Sequence, residues 1–439
     1  MNSSNKRIYL LHFSLFLIIS LDLFSCMPLE YKLKSFGDDD EITTITKDCE
    51  LELQEAIKIL NEKGGTIYID TPVINLVEQH SLLFTGNLPG GIIGIRQANG
   101  EYPRINFIHP DKTDGIFFSG FHISGSNQFI EYLIIENSLD AGITVYGHNN
   151  IFDHVITRYN YGSGFSIYGD FNTFNYCYSY RNCGTDEILV FSDGFKIFGE
   201  SNNVLNFCFA WDNVNSGFNY NRFYNSSDVS YLHSASWNNG NVNVFTGRYD
   251  YDNGSPLDKN LWTIQKIIES DDKFVSNYYN KKYNINNAKI GALTVNEWIS
   301  YVSPRADGNG FTFGNGNNHQ SIDVKRNSLY NVVFDNKSGG FIDNYNNKFN
   351  AFITNCVSFN NGINYKLAYF TLSKWINNWS WNSKNENQIN GNPILQKPSD
   401  VNSAQRTFYS VRDQIIKAVN ANMFPDSINF DRAISILKE

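Results

Sequence analysis

Short runs of alternating apolar and polar residues recur along the middle of the chain at a nearly constant spacing. The run Gly-Ile-Thr-Val-Tyr-Gly at Gly142–Gly147 returns about 22 residues later as Gly-Phe-Ser-Ile-Tyr-Gly at Gly164–Gly169. Further copies, complete or partial, begin at Gly194, Gly217, Gly310 and Gly340. In a strand, alternation places every second residue on the same face. The pattern therefore predicts a repeating coil of about 22 residues that contains two or three short strands.

A single coil of this kind does not bury its own apolar face, whereas a stack of coils buries a continuous core. Asparagines keep a similar spacing, at Asn127, Asn150, Asn172 and Asn203, and stacked asparagines form hydrogen-bonded ladders. Glycine is expected to supply turn dihedrals that other residues resist. The predicted fold class is all-β, a single parallel β-helix. A β-propeller fits less well, because its blades span about 40–50 residues and no Trp-Asp or kelch signature occurs.

The two ends of the predicted solenoid, residues 48–404, have a different pattern. Asp48–Lys63 carries apolar residues at helical spacing and is followed by two glycines and a strand pattern. This predicts a helix that caps the N-terminal end, as terminal units of solenoids must. Residues 405–439 have a second helical pattern and are expected to form a helical C-terminal segment against the other end. An insertion at 248–306 breaks the repeat and predicts a long loop or subdomain on one flank.

The N-terminal pattern predicts export. Residues 1–26 combine a positive end with an apolar stretch, Ile8–Ile19, which is too short to span a bilayer but suits a signal peptide. Leu23–Cys26 resembles a bacterial lipoprotein cleavage box. Two interpretations stay open: a lipidated Cys26 with residues 27–47 as a tether, or an ordinary signal peptide cut nearby. Both predict a secreted or cell-surface protein, with membrane contact only if Cys26 is lipidated.

Composition narrows the class of protein. Of 439 residues, 41% are hydrophobic, which excludes wholesale disorder. Aromatic residues at 15% and charged residues at only 18% favour strands over long helices. Lysine and arginine number 35 against 44 acidic residues, so the net charge is −9. An acidic chain without a long basic run is a poor partner for nucleic acid.

The cysteines beyond Cys26 show no CxxC pair and no Cys/His metal spacing. They are Cys49, Cys177, Cys183, Cys208 and Cys356. An odd count is not typical of a disulfide framework. We expect buried cysteines that act as small hydrophobic residues, with a disulfide between Cys177 and Cys183 as the one exception left open.

Three polar segments interrupt the apolar repeat and are candidates for chemistry. They are Asp193–Lys196 (Asp-Gly-Phe-Lys), Asn213–Asn219 about one coil later, and Asp307–Gly314. If Phe195 points inward, strand alternation places Lys196 on the outer face. Ordinary interpretations stand beside the functional ones, since Asp before Gly is a common turn pair and strand lysines are often only solvated.

Several segments, taken together, resemble polysaccharide lyase family 9. The first matches are Asp193–Lys196, Asn203–Trp211 (Asn-Val-x-x-x-Cys-x-Ala-Trp) and Gly217-Phe218. Later matches are Gly308–Phe311, Val332–Phe341 and Cys356–Gly362. The resemblance covers roughly residues 120–370 and is specific as a set. It implies a pectate lyase-like enzyme on a right-handed parallel β-helix.

The chemistry that this resemblance implies is β-elimination of an acidic polysaccharide. A base removes the proton next to a uronate carboxylate, and the bond to the 4-oxygen breaks. Calcium bound by carboxylates stabilises the developing charge. A strand-borne lysine with a lowered pKa takes the proton.

The residues that carry this chemistry in the family are partly replaced here. The family's calcium ligands fall on Asp193, Asn215, Ser216 and Asn219. Only the first of them is charged, and since calcium affinity follows ligand charge, any calcium site is expected to be weak. The family's base lysine falls on Thr312, whose hydroxyl is not a base near neutral pH. Lys196 is present but is not the family's proposed base, and Lys196 or an arginine is a candidate for a substitute base.

Two functions follow as alternatives. The first is an exported, pectate lyase-like protein that acts by β-elimination on acidic polysaccharide such as polygalacturonate, with Arg222 and Arg305 binding substrate carboxylates. The second is a non-catalytic β-helix protein that binds glycan or serves at the cell surface. A β-helix glycoside hydrolase would need paired acidic residues across the cleaved bond, and no polygalacturonase-type set occurs. We expect a monomer, and we expect His233 and His319 to be structural, since neither has a partner at metal or triad spacing.

Overall fold

The computed structural model describes the chain from residue 41 to residue 413, with gaps. The described ranges are 41–77, 81–107, 119–138, 140–160, 162–182, 192–198, 202–220, 228–240, 307–314, 325–343, 350–367, 374–376, 378–381, 383–385, 388–389, 410–411 and 413. The predicted signal peptide (1–26), the insertion (248–306) and nearly all of the C-terminal segment (405–439) lie outside these ranges.

Three parallel sheets form the described part of the solenoid, and successive coils contribute one strand to each. Sheet A contains Glu41–Ile45, Gly65–Ile69, Gly90–Gly94, Gln128–Glu131, Ile151–Asp153, Thr173–Asn175, Asn203–Asn206, Val229–Leu232, Lys325–Leu329, Asn350–Thr354 and Lys374–Ile376. Sheet B contains Val73–Leu76, Arg104–Phe107, Ile134–Glu136, Ile156–Arg158, Tyr178–Tyr180, Phe209–Trp211, Ala235–Trp237, Val332–Phe334, Val357–Phe359 and Trp379–Trp381. Sheet C contains Leu82–Phe84, Phe121–Ile123, Ile143–Val145, Phe165–Ile167, Phe195–Ile197, Phe218–Tyr220, Asn309–Thr312, Gly339–Ile342, Ile363–Leu367 and Gln388–Ile389.

Side chains that stack from coil to coil fill the interior of the solenoid. Phe195 and Ile197 belong to this core, so alternation places Lys196, between them, on the outer face of sheet C. The rings of Phe165, Phe195 and Phe218 stack with centroids 4.7 and 5.0 Å apart. In-register parallel strands place equivalent residues directly above one another, so one aromatic position of the repeat becomes a column. The predicted parallel β-helix is confirmed.

Two asparagine ladders join the coils at the turns. In the first, the backbone N–H of Asn150 donates to Oδ1 of Asn172, and that of Asn172 donates to Oδ1 of Asn203, each at 2.9 Å. Asn127 was expected in this ladder, but it has a left-handed φ of 61°, and Gln128 takes the place. The second ladder was not expected and contains Asn160, Asn182, Asn213, Asn239, Asn336 and Asn361. Each asparagine satisfies a turn N–H that would otherwise be buried without a partner.

The glycines of the repeat provide space between coils rather than unusual dihedrals, which corrects the expectation. No left-handed φ occurs at Gly142, Gly164, Gly194 or Gly217. A Cβ added at Gly164 would lie 1.9 Å from Oγ of Ser179, and one at Gly217 would lie 2.0 Å from Oγ of Ser236. Left-handed turns are made instead by residues with side chains, such as His154 with φ 55°. Glycine is needed where neighbouring coils leave no room for a methyl group.

An amphipathic helix lies at the N-terminal end of the solenoid, as predicted. It spans Glu50–Lys63 and ends at Gly64, whose φ of 74° stops it. Its buried residues are Leu53, Ala56, Ile57 and Leu60. Just before it, Glu41–Ile45 pairs with Gly65–Ile69 as the edge strand of sheet A. The predicted tether therefore extends too far at residue 47, because this strand already belongs to the solenoid.

A second apolar cluster covers the outer face of sheet B. Its larger members include Tyr178, Tyr180, Phe209, Trp211, Trp237, Phe334 and Phe359. Val411, from the C-terminal segment, is fully buried in the same cluster. This residue of the segment therefore packs with the cluster on sheet B, and the remainder of the segment lies almost entirely outside the described ranges. Within the described ranges, no helix is both long enough and apolar enough to cross a membrane.

Candidate functional site

A column of polar residues runs along the outer face of sheet C. In the register of the parallel strands Lys196 lies beside Asn219, and Asn219 lies beside Thr312. In the other direction Ser166 and then Thr144 continue the column. All five residues are buried. The register thus brings together the predicted substitute base and the predicted base position, which are distant in the chain.

Asp193 lies at the turn that leads into this face, and three N–H groups hold its carboxylate. Oδ1 accepts from Nδ2 of Asn215 at 2.8 Å and from the backbone N–H of Ser216 at 3.0 Å. Oδ2 accepts from Nδ2 of Asn219 at 3.1 Å. The four residues at the family's calcium positions therefore form one cluster, in which the carboxylate is the acceptor.

Lys196 completes this cluster. Its Nζ lies 3.4 Å from Oδ2 of Asp193, and both side chains are 0% exposed. Burial lowers the pKa of the Lys196 ammonium, and the Asp193 carboxylate opposes that change. Burial raises the pKa of the Asp193 carboxyl to about 6, against the opposing effect of Lys196 and the N–H donors. Because the two pKa values shift towards each other, moving a proton from Lys196 to Asp193 costs less than in water.

Two hydroxyls in the neighbourhood of the ion pair, one in the cluster and one two strands away, have no hydrogen-bond partner within the part of the chain that the structure describes. They are Oγ of Ser216 and Oγ1 of Thr312, in residues that are 0% and 1% exposed. Ser216 lies at the turn before Phe218–Tyr220, at the same position that Asp193 takes before Phe195–Ile197. Thr312 lies two strands from Lys196. Buried hydroxyls without a partner are rare in folded proteins, so each needs an explanation such as a ligand.

Asp307 and Lys337 form the exposed edge of the cluster. The backbone N–H of Asp307 donates to Oδ1 of Asn215 at 3.0 Å. Burial raises the pKa of the Asp307 carboxyl, and the positive charges of Lys196 and Lys337 oppose that rise. Solvent therefore reaches the edge of the cluster at these two residues, while the ion pair itself stays buried.

A stack of aromatic rings follows the same face, and the sequence analysis did not single it out. Tyr146, Tyr168 and Phe198 stack with centroids 4.6 and 4.4 Å apart. Nζ of Lys196 lies 5.3 Å from the Phe198 centroid, and Tyr146, at the other end, is 45% exposed. The signal was present in the repeat, because each ring is the fifth residue of a Gly-x-x-x-(Tyr/Phe)-Gly run. Aromatic side chains are common in the lining of ligand sites.

The other predicted site residues do not join this cluster. Outside the described ranges lie Arg222, Arg305 and His319. His233 stacks between Phe207 and Tyr330, with centroid distances of 4.8 and 5.0 Å. Burial lowers the pKa of its imidazole. The contacts of His233 are those of a structural residue.

The residues at the family's calcium positions do not fit a calcium ion. Calcium takes about six to eight oxygen ligands, with carboxylates prominent among them. The one carboxylate here, that of Asp193, already accepts three N–H donors and lies beside the Lys196 ammonium. Across the described ranges, no group of three or more His, Cys, Asp or Glu side chains could hold a metal ion. The cluster has the chemistry of a buried ion pair.

The family of this chain follows from comparison with known proteins. A family model described as the Pel9A-like, right-handed β-helix region matches residues 33–255, just over half of the chain. The chain belongs to the Pel9A-like family. Its match includes Asp193, Lys196 and the three residues that donate to Asp193, and it ends before Thr312. The fold of the Pel9A-like family agrees with the three parallel sheets.

Solved structures extend the likeness beyond the matched range. The crystal structure of pectate lyase Pel9A matches with a TM-score of 0.54 and 20% identity, over 79% of this chain and 76% of that chain. A rhamnogalacturonan lyase matches with a TM-score of 0.44 and 15% identity, over 76% of this chain and 82% of that chain. No curated protein sequence matches significantly. At these identities the Pel9A structure shows that the Pel9A-like fold is shared.

Proposed function

We propose that this protein is an exported polysaccharide lyase that acts on uronic-acid polysaccharide, such as polygalacturonate, by β-elimination. The observation that supports this most directly is the buried contact between Lys196 and Asp193 on the outer face of sheet C. A buried lysine with a lowered pKa and a specific charged partner is typical of catalytic sites. Membership of the Pel9A-like family supports the substrate class.

Lys196 is the proposed base. A proton passes from its ammonium to the Asp193 carboxylate, which leaves a neutral amine. The amine takes the proton next to the substrate carboxylate, and the electrons of that C–H bond form the double bond as the bond to the 4-oxygen breaks. The leaving oxygen takes a proton from the ammonium formed in this step. The lowered pKa of Lys196 makes the neutral amine more available near neutral pH.

The aromatic stack is the proposed contact for the sugar rings beyond the cleaved bond. It begins at Phe198, within 5.3 Å of the Lys196 ammonium, and leads to the exposed ring of Tyr146. Rings placed along one face of the solenoid suit an extended chain of sugars, because successive coils repeat the same contact.

Glycan binding without catalysis is the second candidate, and two observations favour it. Thr312 stands where the resemblance to polysaccharide lyase family 9 predicts the base lysine, and a threonine hydroxyl is not a base near neutral pH. Lys196 is 0% exposed, whereas a base must touch the proton that it removes.

The test is the ultraviolet absorbance of the unsaturated product formed from polygalacturonate. We expect Lys196→Met to lower kcat by about 10²- to 10⁴-fold, as loss of a general base does. Lys366→Met is the matched control, because Lys366 is an exposed lysine of sheet C, separated from Thr312 by the strand of Ile342, and the variant should leave kcat unchanged. Binding of polygalacturonate without product would favour the second candidate. Absence of both binding and product would refute both.

Export is a separate part of the proposal and rests on the pattern of residues 1–26. Mass spectrometry of the N-terminal peptide of protein recovered outside the producing cells tests it. A chain that begins at a lipidated Cys26 would establish the lipoprotein interpretation, and an unmodified N-terminus nearby would establish an ordinary signal peptide. A full-length chain retained inside the cells would refute export.

A further inference from the structure

The groups around Asp193 are hydrogen-bond donors, whereas a metal site needs acceptor oxygens. A metal ion needs oxygen lone pairs that point at one centre. Here the groups that point at the Asp193 carboxylate are N–H donors of Asn215, Ser216 and Asn219, with the Lys196 ammonium beside them. Oδ1 of Asn215, which would be a ligand oxygen, accepts instead from the backbone N–H of Asp307. The negative charge of the cluster is therefore already balanced from within the chain.

The two hydroxyls without partners are the groups that remain for a ligand. Oγ1 of Thr312 lies on the outer face of sheet C, two strands from Lys196. Oγ of Ser216 lies at the turn before the strand between them, in the residue whose backbone N–H donates to Asp193. Each hydroxyl donates one proton, and a carboxylate is an acceptor with two oxygens. The charged groups nearby are Lys196, which is buried against Asp193, and Asp307 and Lys337, which are exposed at the edge. The two hydroxyl protons suit a small anionic acceptor.

We propose that this site binds the carboxylate of a uronic-acid residue without a metal ion, through the hydroxyls of Ser216 and Thr312. Lys196 takes over the role of counter-charge to Asp193, so that the one carboxylate among the family's calcium positions is already paired and is not available to calcium. The inference rests on the proposed function for its substrate class. The independence of calcium follows from the geometry of this chain and is tested separately.

The metal part is tested by thermal unfolding of the full chain in calcium and in chelator. We expect the wild-type Tm to be the same in both. As positive control, the triple variant Asn215→Asp/Ser216→Asp/Asn219→Asp restores the carboxylates and should gain a calcium-dependent rise in Tm. A calcium-dependent Tm in the wild type that Asp193→Asn abolishes would overturn the metal-free site.

The hydroxyl part is tested by titrating polygalacturonate in chelator and measuring affinity and Tm for each variant. We expect Thr312→Val and Ser216→Ala to weaken binding by about tenfold or more, which corresponds to loss of a hydrogen bond to a charged group. Their Tm should stay equal or rise, because each variant removes a buried hydroxyl that has no partner in the free protein. Loss of affinity without loss of Tm is an outcome that a purely structural role would not produce.

Thr157→Val is the matched control for Thr312→Val. Thr157 is also fully buried, but it lies inside the solenoid and its Oγ1 donates to Oγ of Ser179 at 3.0 Å. We expect this variant to lower Tm and to leave affinity unchanged. A galactan that lacks carboxylates should bind at least tenfold more weakly than polygalacturonate. Equal binding of the two glycans, or unchanged affinity in Thr312→Val, would overturn carboxylate recognition.

The outcomes separate this inference from the proposed function. If wild type binds polygalacturonate only in calcium, the metal-free site is wrong while the substrate class stands. If it binds no polygalacturonate under either condition, the proposed function fails, and carboxylate recognition fails with it. The calcium-independent Tm would still stand as a property of the cluster.

Discussion

At single positions, the distance between neighbouring coils decides which residues the repeat accepts. The Cβ of alanine at Gly217 would lie 2.0 Å from Oγ of Ser236 and 3.0 Å from Nδ2 of Asn239. No side chain fits at such distances unless the Ser236 side chain or the neighbouring coil moves. The glycines of this repeat are therefore needed because neighbouring coils lie close together. The backbone preferences of a single segment do not reveal that closeness.

Gly217→Ala should lower the free energy of unfolding by about 1–3 kcal/mol, the usual cost of overpacking. Urea titration measures the change. Because the nearest atom is Oγ of Ser236, the double variant Gly217→Ala/Ser236→Ala should lose less than the sum of the two single variants. Additive losses would contradict a direct clash between these two residues.

The reactivity of each thiol also depends on the burial of its own side chain. Cys177, Cys208 and Cys356 are free and fully buried, and burial raises the pKa of the Cys356 thiol to about 11. Burial also raises the pKa of Cys177 well above its ordinary value. The expectation of cysteines as small hydrophobic core residues holds for these three. Cys177 has no disulfide, whereas Cys183 lies outside the described ranges.

We expect the thiols of Cys177 and Cys356 to resist alkylation in the native protein at pH 8, since the raised pKa leaves little thiolate and burial prevents access. Among the cysteines in the described ranges, Cys49, which is only half-buried, should react first. Peptide mapping by mass spectrometry after brief alkylation measures this order. Alkylation of Cys356 as fast as that of Cys49 would contradict the buried position.

At the scale of elements, the capping helix and the asparagine ladders complete the solenoid that the repeated coils form. The helix Glu50–Lys63 has one apolar face, and that face covers the first coil. The asparagine ladders use one turn position in each coil to satisfy backbone N–H groups of the neighbouring coil. Both devices close surfaces that a single coil leaves open, so both are needed before the strands have a complete core.

The helix itself offers a matched pair of substitutions. Leu60 is 0% exposed and Leu51 is 65% exposed in the same helix. We expect Leu60→Ala to lower the free energy of unfolding by about 2–5 kcal/mol, through lost burial and a cavity. Leu51→Ala should change it by no more than about 0.5 kcal/mol. Similar effects in urea titrations of both variants would mean that the helix does not cap the solenoid through this face.

For the whole molecule, net charge controls the rate of association with a polyanion. The chain carries a net charge of −9, so polygalacturonate and protein repel each other at long range. Local contacts at the outer face of sheet C must overcome this repulsion. Salt shortens its range from about 30 Å at 0.01 M to about 8 Å at 0.15 M.

The association rate with polygalacturonate should therefore rise as salt increases from about 0.01 to about 0.15 M. Stopped-flow tryptophan fluorescence measures that rate. Neutral galactan serves as the control and should show little dependence on salt. A rate that falls with salt would mean that cations near the binding face outweigh the net charge.

The sequence by itself determined the solenoid, three positions of one asparagine ladder, the alternation of core positions and the capping helix. This was possible because in-register stacking places residues that repeat along the chain directly above one another, as at Phe195 and Asn172. The sequence also established that only one of the four calcium positions carries charge. These properties need only the order of residue types.

Only the tertiary structure decided how the site is assembled. That Thr312 lies beside Asn219, across a long insertion, depends on which coils are neighbours. That Lys196 is buried against Asp193, instead of facing an open cleft, depends on what surrounds the pair. The direction of the hydrogen bonds, from Asn215 to Asp193, depends on side-chain orientation. Contacts, burial and orientation arise between segments distant in the chain, so no local pattern encodes them.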